Sequence, residues 1–84
     1  MTMNLVSTND FYRTSDLALV ATLCVLGFVV EEVENGNFQR SIFLLSNSAR
    51  LKKTVNQYWR GKLKVEPQAY FNQLKILKTR IYRR

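Results

Sequence analysis

The chain has 84 residues, 46% hydrophobic and 23% charged, the size and make-up of one small folded domain rather than a disordered segment or a multidomain enzyme. Histidine is absent and Cys24 is the single cysteine, which excludes an internal disulfide framework and a zinc site built from several Cys or His ligands. Lys and Arg number 13 against 6 Asp and Glu, a formal net charge of +7, so an acidic ligand is the first class to consider.

We read residues 1–84 as one α+β domain in the order helix, β-hairpin, helix, helix, with residues 1–12 as a flexible lead-in. The first helix is expected over Ser15 to Leu26. Thr14 or Ser15 supplies its N-cap oxygen, and Asp16 complements the positive end of the dipole. Gly27 suits the left-handed residue of a Schellman ending, with Phe28 turned back on Leu23. Leu17, Leu19, Val20, Leu23, Val25 and Leu26 surround this helix on nearly all sides, so it must be central or covered by a partner.

The period then changes. Phe28 to Glu34 and Phe38 to Leu45 read as two strands joined by Asn35-Gly36, the favoured dipeptide of a two-residue type I′ turn. Pairing Glu34 with Asn37 sets Val33 opposite Phe38, Glu31 opposite Arg40 and Val29 opposite Ile42 on one face. Phe28 opposite Phe43 and Val30 opposite Ser41 then occupy the other.

Ser46-Asn47-Ser48 offers an N-cap for a second helix over Ala49 to Arg60, closed by Gly61, with Leu51, Val55, Tyr58 and Trp59 as its core stripe. Pro67 suits the first turn of a third helix running to Tyr82, whose inward stripe is Tyr70, Leu74, Leu77 and Ile81.

The longest apolar run, Leu17 to Val30, is 14 residues, short of the roughly 20 that span a bilayer. Asp10 and Asp16 before it, against Arg13 alone, carry the wrong charge for a secretory leader. The expectation is a cytoplasmic protein with no membrane association. Cys24 reads as a packed thiol without a base to activate it. Glu32 and Glu34 share a strand face, but acids near a hairpin tip ordinarily serve solubility, and no metal site is expected. No phosphate-cradling or nucleophile-elbow glycine pattern occurs, so neither cofactor nor catalytic residue is assigned, and the chain reads as a non-enzyme.

What remains is charge. Residues 1–38 hold one base and five acids, 1 − 5 = −4, and residues 39–84 hold twelve bases and Glu66, 12 − 1 = +11. On the second helix, at roughly 100° per residue, Arg50, Lys53, Gln57 and Arg60 fall together opposite Val55, with Asn56 on the flank. Lys and Arg neutralise phosphates, while Gln and Asn bond to base edges or sugars. A solvated face would also be polar, but a face built for solubility interleaves both signs, and no acid lies between Asn47 and Val65.

Lys62 and Lys64 continue the basic run, and Lys75, Lys78 and Arg80 carry it along the third helix. There Phe71, Lys75, Lys78 and Tyr82 follow helical spacing, suited either to stacking an unpaired base beside its phosphate or to aromatics at a core edge under lysine stems. The expected partner is nucleic acid, RNA or DNA, bound by an accessory subunit. The alternative is an adaptor or self-associating subunit that meets a larger protein, or a second copy, through the apolar first helix.

Two stretches of the chain also resemble a known family. Tyr12-Arg13-Thr14-Ser15-Asp16-Leu17-Ala18-Leu19 with Gly27-Phe28, then Tyr58-Trp59-Arg60-Gly61, Pro67, Phe71 and Leu74-Lys75 through Arg80-Ile81-Tyr82, resemble a family of small prokaryotic proteins described only as a domain of unknown function. The resemblance spans nearly the whole chain. It implies an origin in a phage or other mobile element and carries no activity or catalytic residue.

Overall fold

The computed structural model describes residues 10–35 and 41–82. Its elements are β1 (Phe11–Thr14), α1 (Leu17–Val25), β2 (Val30–Asn35), β3 (Ser41–Ser46), α2 (Ala49–Trp59) and α3 (Pro67–Tyr82). The three strands form one antiparallel sheet in the order β1-β3-β2. All three helices pack their apolar residues into one core with the sheet, giving an α+β domain of two layers.

The strand β1 corrects the expectation of a flexible lead-in as far as residue 12. Phe11, Tyr12, Arg13 and Thr14 pair with Ser46, Leu45, Leu44 and Phe43, and the Asn47 amide donates to the Asp10 carbonyl at 2.9 Å. Tyr12 packs against the core, and its burial, reinforced by Asp16, raises its hydroxyl above the ordinary tyrosine value. The chain therefore enters α1 from a strand. Thr14 Oγ1 accepts from the Asp16 amide, and the α1 cap itself is Asp16, whose Oδ1 accepts from the Leu19 amide at 3.1 Å.

The end of α1 follows its local chemistry. The Phe28 amide donates to the Leu23 carbonyl and the Gly27 amide to that of Cys24, with Gly27 at φ 101°, the two bonds of a Schellman motif. A Cβ on Gly27 would meet nothing within 4 Å, so substitution there strains only the backbone. We expect Gly27→Ala to lower stability by about 1–2 kcal/mol in urea denaturation. A change below a few tenths would mean that the turn relaxes freely. Gly61, at φ 71°, ends α2 in the same way, with the Lys62 amide donating to the Gln57 carbonyl.

The hairpin differs from its expected register. Asn35 pairs with Ser41, Glu34 with Ile42, Val33 with Phe43 and Glu32 with Leu44. Asn35 is thus still in the ladder, six residues before Ser41, so the register is not the one expected around a two-residue turn at Asn35-Gly36. The rest of that turn, with Asn37, Phe38 and Arg40, lies outside the described residues.

A bulge between Val30 and Glu32, where Val30 opposes Leu45, makes Glu31 the extra residue. Val30 and Val33, three apart, would otherwise face opposite sides of the sheet. With the bulge both join Phe43 and Leu45 on the helix-facing side. Glu31, expected opposite Arg40, instead accepts from Ser46 Oγ at 3.2 Å. On the outer face Arg13 reaches across β3 to Glu34 in a salt bridge.

The centre of the core is α1. Leu19, Val20, Ala21 and Leu23 are fully buried, and the buried Thr22 hydroxyl donates to the Ala18 carbonyl at 2.9 Å. Alongside lies α3, burying Leu77 and packing Tyr70, Leu74 and Ile81 against the same cluster. Ser48 caps α2 by accepting from the Leu51 amide. Glu66 caps α3 by accepting from the Ala69 amide at 2.7 Å.

Candidate nucleic-acid interface

The basic half of the sequence becomes the surface of α2, the following segment and α3. Arg50, Lys52, Lys53, Arg60, Lys62, Lys64, Lys75, Lys78 and Arg80 are all exposed, as is Asn56, while Gln57 is partly buried. Among the described residues none of these cations is in a salt bridge. The one acid of this half, Glu66, is engaged in capping α3. A surface with a single counter-charge among so many cations keeps its positive potential available to a polyanion.

The wheel of α2 holds as expected on its polar side. Leu51 and Val55 are buried, and Lys53, Gln57 and Arg60 project away from them. Arg50 is set apart from this group. Its guanidinium lies 4.2 Å from the Phe28 ring centroid and donates to the Leu26 carbonyl at 3.3 Å. That carbonyl belongs to the C-cap of α1, where the helix dipole favours a cation. Arg50 thus joins α2 to the end of α1, and its exposed edge alone is left for a phosphate.

Trp59 also departs from its expected place in the α2 core stripe. It is 62% exposed, and Tyr58 takes the inward position, with the two rings edge to face at 4.9 Å. Burial raises the Tyr58 hydroxyl above its ordinary value, and Asp16 and Tyr70 add to the effect. Tyr58 thus brings the end of α2 close to the starts of both α1 and α3. The reason for the exchange is geometric: Trp59 lies about 100° around the helix from Tyr58, and α1 occupies only one side.

The cations of α3 divide between two flanks. Phe71, Lys75, Lys78 and Tyr82 span about 60° of the helix wheel, whereas Arg80 lies roughly 140° from Lys75. Burial holds the Cys24 thiol above its ordinary value, and the positive charge of Arg80 offsets part of that rise. Little thiolate forms at neutral pH under those conditions. Phe71, with Pro67, Gln68, Asn72 and Lys75, lines a shallow open groove. The Lys75 ammonium lies 4.9 Å from the Phe71 ring centroid.

The remaining surfaces carry less. Glu31 and Glu34 are engaged with Ser46 and Arg13. Among the described residues no cluster of three His, Cys, Asp or Glu side chains is placed to hold a metal ion, and no helix is long and apolar enough to cross a membrane.

Fold and surface together define a class: a small α+β domain with a central apolar helix, an acidic edge strand and a basic helical half. The chain belongs to the family described as Domain of unknown function (DUF5659), whose model matches residues 9–83. No curated protein and no solved structure matches the chain.

Proposed function

We propose that this protein is a non-enzymatic accessory domain that binds nucleic acid through the basic surface of residues 50–84. Lys53, Arg60, Lys62 and Lys64 contact phosphates, with Arg50 contributing from the edge of the surface. Asn56 and Gln57 reach sugars or base edges, and Lys75, Lys78 and Arg80 extend the surface along α3. The observation that carries this reading is the run of exposed cations from Arg50 to Arg80, with no salt bridge among the described residues and a single, occupied acid. The resemblance to small prokaryotic proteins supports an origin in a phage or other mobile element. A cytoplasmic location fits a nucleic-acid ligand.

The adaptor reading drew its support from an apolar first helix left uncovered. Leu19, Val20, Ala21 and Leu23 are enclosed by this chain's own sheet and helices, while Leu17, Val25 and Leu26 are half-buried, so the apolar surface that α1 offers a partner is limited to its ends.

The test is a titration of labelled RNA and DNA against the purified protein at about 50 and 200 mM salt, with polyanion competitor present. Binding that survives competitor and weakens along a linear log–log salt dependence is the expected result. Absence of binding at the lower salt would overturn the proposal.

A further inference from the structure

Resting on that reading, we infer that the outer flank of α3 is a stacking site for single-stranded nucleic acid, with Phe71 and Tyr82 as platforms and Lys75 and Lys78 as the phosphate contacts between them. The side chains of the core stripe, Tyr70, Leu74, Leu77 and Ile81, satisfy the packing of α3 without this flank. Phe71 is nonetheless 57% exposed and Tyr82 is 79% exposed. Large rings left in water on a domain whose core is otherwise well enclosed are available for a ligand that presents flat faces.

The chemistry of the flank selects the ligand. Bases in a duplex hide their faces and show only edges, which are read by hydrogen-bonding groups that Phe71 lacks. Unpaired bases offer the face itself, and stacking on an aromatic ring is their common mode of capture. Along the helix axis the order is aromatic, lysine, lysine, aromatic, over about 16 Å at 1.5 Å per residue, a length that accommodates a few unstacked nucleotides. The Lys75 ammonium over the Phe71 ring already marks that face as one that accepts a partner. A stacked base is the stronger occupant of an exposed ring. Its arrival frees the lysine to pair with the adjoining phosphate. No acid follows Glu66 in the sequence, so no acidic side chain of α3 repels the strand.

The experiment compares short labelled oligothymidylate and oligouridylate strands with the duplexes formed by their complements, at about 50 and 200 mM salt. The proteins are the wild type, Phe71→Ala, Phe71→Trp, Phe71→Leu and Tyr82→Ala, each checked for an unchanged thermal melt. The expected result is tighter binding of the single strands by the wild type. Single-strand affinity should fall about tenfold in Phe71→Ala and Phe71→Leu, with Phe71→Trp restoring it and duplex affinity unchanged.

Equal affinity for strands and duplexes, or a Phe71→Leu protein that binds as well as wild type, would overturn the stacking site while leaving the charge-based reading intact. A self-associated wild type whose dimer is dissolved by Phe71→Ala would likewise overturn it, assigning the flank to a second copy. No binding of any nucleic acid would remove both readings together.

Discussion

Replacing Phe43 with alanine is expected to lower the unfolding free energy by about 3–5 kcal/mol. Phe43 is 1% exposed and sits on the central strand between Thr14 and Val33, where the sheet meets the helical layer. A domain of this length buries a smaller share of its surface than a larger one, and small domains have only about 5–15 kcal/mol of stability in total. One cavity at this position therefore removes a large part of it. At about 4–8 °C per kcal/mol for domains near this size, the melting temperature should fall by at least about 12 °C. Urea denaturation followed by circular dichroism measures the change. Phe71→Ala is the internal comparison, since an exposed ring should cost within about 0.5 kcal/mol. Equal losses for the two would mean that the sheet-helix interface is not the seat of stability.

The second large effect concerns binding. In Lys53→Glu/Arg60→Glu two cations about 20° apart around α2 become repelling charges. Neither is in a salt bridge among the described residues, so nothing in the fold depends on them through an ion pair. We expect nucleic-acid affinity at about 50 mM salt to fall at least tenfold. The slope of log K against log salt should shrink by about one for each phosphate contact removed. Arg60 is the C-cap of α2, where a carboxylate opposes the helix dipole at a cost of about 0.3–1 kcal/mol. The neutral pair Lys53→Gln/Arg60→Gln controls for this and should show a smaller loss in the same direction. Affinity unchanged in both variants would place the binding surface elsewhere on the basic half.

How much of this was legible in the chain follows from the range of the interactions that decide each feature. Asp16, Gly27, Ser48, Gly61 and Glu66 set helix ends through bonds to residues no more than a few positions away. The helices were therefore placed to within about two residues, although Asp16 and not Thr14 or Ser15 caps α1 and the Glu66 cap was not expected. The inward stripe of α3 needed only the 3.6-residue period.

Features that depend on distant partners were not legible in the same way. Phe11–Thr14 is short, and it is a strand because β3, some thirty residues later, offers it an edge. The bulge at Glu31 breaks the alternation on which any register count relies. It is stabilised by the burial of Val30 and Val33 under helices that a strand's own sequence does not reveal. Arg50 belonged to the polar stripe by its angle, but its reach to Leu26 and Phe28 depends on where α1 ends in space.

The sequence by itself determined the α+β class, the three helices and their glycine endings, the all-round apolar character of the first helix and the division of charge between the two halves, because each rests on composition or on contacts within a turn or two. Only the tertiary structure decided the third strand, the register of the hairpin, the exposure of Trp59, Phe71 and Tyr82, and the reach of Arg50 to the end of α1. Each of these depends on which faces the packed layers cover, and that is settled by contacts between residues far apart along the chain.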